Sequence, residues 1–329
     1  MIRVILLGRT GNQLFQYALG RVLSEKHGVP LVLDGSCFNR EGWRGVSYFL
    51  KLPLKAKVVR RLDLGTRVLR KITGKRPFGL MRPASSWINP DRGAVGRLNQ
   101  PEVPMLVASH WEYRGKTVLR EKINDHFFDP QFLSAPKDCV LLGYFQTPLY
   151  FKSISHELRS ELNRMFSNEI FGITPQSAAH SVGARLRENL LDSNSVAVHV
   201  RRQDYLYYPG FQVCDSTYYK RAFEKLRDSV PGARFWIFSD DPNWCRGEFR
   251  GADKEVVDSG RDGKNPLHDL HLMSLAAHHI IANSTYSWWA AWLGNKPSQQ
   301  VIVPTRWFAH SIQAPIHEKC LPHWQIIAQ

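Results

Sequence analysis

The stretch Ser195–Tyr205, SVAVHVRRQDY, constrains this chain more than any other. Val196, Ala197, Val198 and Val200 form a short apolar, mostly β-branched run, the pattern of a buried strand. The run then breaks into His199, Arg201, Arg202 and Asp204. In open α/β sheets, ligands bind at the carboxyl ends of the strands. Two adjacent guanidinium groups there suit a phosphate or diphosphate, because the planar fork matches its oxygens. The plainer alternative is a strand closing on an Arg202–Asp204 ion pair.

The 329 residues leave room for two domains and an ample core, and 43% apolar content fits a globular chain. No window is apolar and long enough to span a membrane. The opening apolar run, Val4 to Leu7, ends at Gly8-Arg9 and reads as a first strand rather than an export signal. The chain is therefore expected to be complete and cytoplasmic. Its five cysteines (Cys37, Cys139, Cys214, Cys245, Cys320) form no C-x-x-C pair, so neither disulfides nor zinc are expected. The net charge of +15 is concentrated. Arg40 to Arg76 holds twelve Lys or Arg against Glu41 and Asp63. Such a local patch suits peripheral contact with an anionic membrane face or a lipid-linked acceptor at least as well as a nucleic-acid groove.

In chain order, residues 2–7 read as a strand and 12–27 as a helix, joined by Gly8-Arg-Thr-Gly-Asn-Gln13. That turn is neither G-x-G-x-x-G nor a P-loop. Pro30–Asp34 is a second strand, giving a βαβ start that favours a parallel sheet. Residues 35–105 are irregular, with a broken, basic helical stripe over Leu54–Ile72 and a Pro/Gly/Asn-rich connection after it. Strands follow at 106–111 and 139–145, and aromatic residues cluster from Tyr144 to Phe151. Such a cluster can stack on sugars but more often fills a core. A helical connector, 151–190, leads to a second βα series. Its strands are expected at 195–200, 233–238, 255–257, 279–282 and 301–303. Its helices are expected at 216–229, 267–277 and from Asn283 to a Gly294 stop. This gives an N-terminal domain over 1–150 and a C-terminal one over 191–329.

Two further clusters carry chemistry. Asn283, Ser284, Thr285 and Ser287 open a helix after a strand, and form an anion cradle richer than a cap requires. Trp288, Trp289 and Trp292 on that helix read as packing. Ser239, Asp240 and Asp241 end a strand, where carboxylates can hold Mg²⁺, accept from a guanine edge, or cap the helix begun by Pro242. No third acid lies near, so a metal is not favoured. Two arginines can instead neutralise a departing diphosphate. Together these clusters describe a nucleotide-diphosphate sugar site.

The motifs GRTGNQLFQYALGR, VAVHVRRQDYL, FWIFSDDPNWC, DLHLMSLAAHHIIANSTYSWWAAWLG and VIVPTRWF, with GYFQTPLYF between, resemble those of glycosyltransferase family 11 in the same order. That resemblance implies a GT-B-like α/β architecture: two Rossmann-type domains with mainly parallel sheets facing a central cleft, acceptor side N-terminal. It implies inverting, metal-independent transfer of L-fucose from GDP-β-L-fucose to the 2-hydroxyl of a galactose-terminated glycan, with no cofactor. Carried over, Arg201 holds the β-phosphate, and Arg202 adds charge or orients the loop through Asp204. His199 contacts GDP, Asp240 or Asp241 meets guanine, and Ser239 belongs to the same GDP-fucose site. Asn283, Ser284, Thr285 and Ser287 supply the helix-start contacts, with Gly11, Asn12 and Gln13 facing the donor from the other domain. Gln203 stands where the family often has glycine. The base that takes the acceptor proton is not fixed; Asp204, Asp34 and Glu112 are the candidates. Other readings keep the donor but use a chitooligosaccharide or a protein hydroxyl as acceptor, or make the chain a non-enzymatic anion or nucleic-acid binder.

Overall fold

A computed structural model describes residues 1–35, 49, 52–59, 116–121, 127–166, 182–257, 266–309 and 315–328. Most of the basic segment 40–76, the 106–111 strand, Cys37 and Glu112 lie outside the described residues. The chain forms two compact units, Met1–Ile154 and Ser155–Gln329.

The first unit begins with β1 (Ile2–Ile5), α1 (Thr10–His27) and β2 (Leu31–Asp34). Both strands are wholly buried, as continuous apolar runs in a parallel sheet should be. Gly28, at φ 62°, ends α1 by returning its N–H to the last turn. Then come β3 (Lys57–Val59), β4 (Thr117–Arg120) and β5 (Cys139–Leu142). All pair in parallel, in the order β3-β2-β1-β5-β4. The helical stripe expected from Leu54 is corrected here: Lys57–Val59 is an edge strand on β2. Three residues with one pairing partner leave too little alternation for the pattern to be read as a strand. The aromatic cluster after β5 is core, since Phe145, Tyr150 and Phe151 are buried; Phe145 and Tyr150 pack edge-on with each other and with Phe132, and Phe151 packs tilted on Phe15.

The second unit opens with α2 (Ser155–Phe166) and α3 (Val182–Leu191). It continues through β6 (Ser195–Val200), α4 (Ser216–Ser229), β7 (Arg234–Ser239), α5 (Pro242–Glu248) and β8 (Lys254–Val256). After these come α6 (Pro266–Leu275), β9 (His278–Ile280), α7 (Thr285–Gly294), β10 (Val301–Pro304), α8 (Ile316–Lys319) and β11 (Gln325–Ile327). This sheet too is parallel, ordered β11-β10-β9-β6-β7-β8. α4 starts on Asp215, whose carboxylate accepts the Tyr218 N–H, and lays Tyr218, Tyr219, Ala222, Phe223 and Leu226 on the sheet. Trp288, Trp289 and Trp292 are buried to within 1% and stack against one another and Trp324. α7 runs through Gly294, and the left-handed stop is Asn295, at φ 36°. Gly294 is small for a different reason: a Cβ there would come within 3.1 Å of the Ser274 carbonyl and of His279.

The fold class is the α/β one expected, two Rossmann-like units of parallel sheet. In each, the chain leaves its central strand in both directions. β1 lies between β2 and β5, and β6 lies between β7 and β9. Those reversal points are where open parallel sheets leave a crevice at their carboxyl ends.

Candidate donor site at the end of β6

Three loops meet at the carboxyl ends of β6, β7 and β9. From β6 come Arg201 and Arg202. The Arg201 guanidinium lies 2.6 Å from Asp204 and 3.0 Å from Asp240. Arg202 lies 3.1 Å from Asp241, donates its backbone N–H to the Asp240 carboxylate at 2.8 Å, and covers the Trp244 ring at 3.8 Å. The expected Arg202–Asp204 pairing is therefore corrected. Asp204 opens a short 3-10 turn, Asp204–Tyr207, that points its carboxylate back at Arg201, three residues earlier. Arg202 points instead toward the β7 loop.

That β7 loop is fixed in its own right. Asp241 caps α5 by accepting the Trp244 N–H, and the Ser239 hydroxyl accepts the Asp241 N–H. Burial raises the Asp240 pKa, with Arg201 and the Arg202 N–H opposing it. Among the described residues no group of three His, Cys, Asp or Glu side chains could hold a metal ion.

From β9 comes the start of α7. Asn283 is buried and both of its amide hydrogens are used, on the Phe211 and Trp307 carbonyls. It positions backbone, which the sequence had not separated from ligand contact. The Ser287 hydroxyl turns inward to the Ser284 carbonyl. Ser284 is the helix's N-cap residue but makes no side-chain cap; its hydroxyl meets that of Tyr205. Ser284 is itself buried, and Thr285, partly exposed, opens the first turn of α7, whose leading N–H groups lie at the helix's positive end.

His199 lies between these loops, 6% exposed, its ring 5.6 Å from that of Tyr286. Its Nδ1 has no hydrogen-bond partner. Burial, with help from Arg201, lowers its pKa to about 3. It is a neutral imidazole at working pH, able to share one hydrogen bond but too weak a base to take a proton.

Gly11, Asn12 and Gln13 lie on the first turn of α1, beside the reversal point of the other unit. Gln13 donates to the Gly8 carbonyl, and its Oε1 is buried without a partner. Asn12 accepts from Gln146 at 3.1 Å. A side chain at Gly8, φ 67°, would be strained, and its Cβ, 2.2 Å from the Asn12 amide, would displace that amide. Asp34 is no candidate base: its buried carboxylate is held by Arg3 at 2.8 Å.

Sequence reasoning left Trp244 and Tyr205 without roles. Tryptophan beside a capped helix start and tyrosine after an arginine pair are the signals that were there to use.

The model of glycosyl transferase family 11 matches residues 119–328. An alpha-1,2-colitosyltransferase of Escherichia coli is 34% identical over 311 residues, 92% of this chain and 91% of that one. The O-antigen biosynthesis glycosyltransferase WbnK, also of E. coli, is 27% identical over 313 residues, 92% of this chain and 94% of that one. The galactoside 2-alpha-L-fucosyltransferase SEC1 of Bos taurus is 28% identical over 179 residues, 52% of this chain and 46% of that one.

Proposed function

Since the chain belongs to glycosyltransferase family 11, as the match over 119–328 and the 34% relative establish, we propose that it transfers L-fucose from GDP-β-L-fucose to the 2-hydroxyl of a galactoside. The observation that carries this reading is Arg201. It ends a buried strand at a reversal point, with its guanidinium held between Asp204 and Asp240. A diphosphate is the ligand that such a guanidinium, beside a helix N-terminus, binds best.

The roles follow from charge and exposure. Asp240 is the better buried partner, at 14% side-chain exposure against 32% for Asp204. An entering β-phosphate therefore exchanges with Asp204, while Asp240 keeps Arg201 in place. Cleavage of the sugar–phosphate bond leaves the electron pair on the β-phosphate oxygen, and Arg201 stabilises that charge as it forms. The acceptor hydroxyl attacks the anomeric carbon from the opposite face and loses its proton to water or a base on that face. With Arg201 and the N-terminus of α7 meeting the charge of the diphosphate, the reaction is expected to proceed without a divalent cation. Asn12 and Gln13, taken within the first unit alone, are neutral amides of the kind that bind sugar hydroxyls.

A second donor has specific support, since the 34% relative is named for colitose, which is fucose without its 3-hydroxyl. Purified protein incubated in EDTA with GDP-fucose or GDP-colitose and a panel of galactosides, followed by linkage analysis, tests both. An α-1,2-linked fucoside is the expected product. An α-1,2-linked colitoside alone replaces the donor and keeps the mechanism, and a strict Mg²⁺ requirement overturns the arginine role.

A further inference from the structure

Tyr205 makes a closed circuit across the reversal point of the second sheet. Its ring lies under the Arg201 guanidinium, 5.6 Å from it, and stacks on Phe211 at 4.9 Å and 25°. Its hydroxyl donates to the Asn283 carbonyl at 3.1 Å and meets the Ser284 hydroxyl. Asn283 in turn donates to the Phe211 carbonyl, closing the ring of contacts. One end of this circuit follows β6 and the other precedes α7, the two elements that flank the crevice. Burial pushes the Tyr205 hydroxyl up to about 12, so it stays a donor.

The geometry points to Tyr205 as a positioning residue: it sets the distance between the Arg201 guanidinium and the N-terminus of α7, so that both grip one diphosphate. This rests on the donor reading above. Two separate cationic elements bind a diphosphate well only if their spacing is fixed beforehand, since ordering them at binding costs affinity. A strut between them therefore acts on the β-phosphate, where both elements are needed, and not on the nucleoside.

The test compares GMP with GDP by calorimetry. The wild-type protein is expected to bind GDP much more tightly than GMP. Tyr205→Phe keeps the ring under Arg201 and the stack on Phe211 but loses the hydroxyl. It is expected to weaken GDP about fivefold to tenfold, the worth of one hydrogen bond, with GMP affinity unchanged. Phe211→Leu, which loosens the ring and spares the hydroxyl, is expected to shrink the same ratio less. If both variants keep the wild-type ratio, or lose GMP and GDP equally, Tyr205 is ordinary packing and the inference fails. If the wild type itself shows no preference for GDP, the donor reading fails, and Tyr205 with it.

Discussion

At the carboxyl end of β1 four neutral amides gather, Asn12, Gln13, Gln16 and Gln146, with the exposed Arg9 on the loop beside them. At the carboxyl end of β6 two guanidinium groups and three carboxylates gather instead. The surrounding frames are alike, each a central parallel strand at a reversal point. What differs is how the loops are held. In the first unit Gln16 accepts the Leu7 N–H and donates to the Gly143 carbonyl, fastening the ends of β1 and β5 together. The buried Glu121 carboxylate accepts the N–H groups of Tyr144 and Phe145, and Phe145 sits at φ 52°, where a side chain is strained. In the second unit the loops are held by ion pairs that a ligand can exchange. The same sheet geometry thus yields an amide-rich, prearranged strand end in one unit and an ion-paired one in the other.

The contrast is most exposed at Arg201. Arg201→Ala is expected to cut transfer about a thousandfold, the loss typical when a group that stabilises developing negative charge is removed. The melting temperature should hold, because the side chain is at the surface end of its strand. Steady-state rates and a thermal melt check this; a loss below tenfold would erase the distinction between the two strand ends. Glu121→Ala probes the other side. It leaves two buried N–H groups without their acceptor, at about 3 kcal/mol in total, and a melting temperature lower by about 9 °C is expected. GDP affinity should not follow. A variant that melts normally would show that the Phe145 turn holds itself.

Much of this was legible in the residues, for physical reasons that can be named. β6, β7 and β10 are buried apolar runs, and their polar ends announce themselves. The packing of the three tryptophans followed from spacing. The pairing of Arg201 with Asp204 did not, because it depends on a 3-10 turn that brings residue i+3 back over residue i. Nor did Arg202 with Asp241, which lie 39 positions apart. Glu121 gave no signal, since its partners are backbone N–H groups that any sequence carries. The short edge strands β3, β4 and β11 are half-exposed and lack the period that marks a strand.

Salt sharpens the comparison at smaller scale. Ion-paired loops are screened and amide hydrogen bonds are not. Raising ionic strength from about 0.1 to about 0.5 M is expected to weaken GDP binding several-fold by calorimetry, while the KM for a neutral acceptor stays flat. Parallel loss of both would mean that the acceptor face is charged as well.

Acid separates the units most gently. Among the described residues the buried histidines, His199, His278 and His279, all belong to the second unit. Burial lowers the pKa of His199 and of His279 to about 3, and that of His278 in the same direction. Unfolded, each returns to the ordinary 6.5. The stability is therefore complete above pH 6.5. It is lost as pH falls toward 3, because over that window the unfolded chain binds protons that the folded chain refuses. Each such histidine contributes up to about 1.4 kcal/mol per pH unit within its window. Hydrogen exchange at pH 7 and at pH 4.5 should show protection falling first on β6, β9 and α7, with β1 and β2 retained. His199→Gln should flatten that fall without shifting the neutral-pH melt by more than about 2 °C. If β1 and β2 open first in acid, the weakness lies with the first unit's carboxylates, and the Arg3–Asp34 pair becomes the place to look.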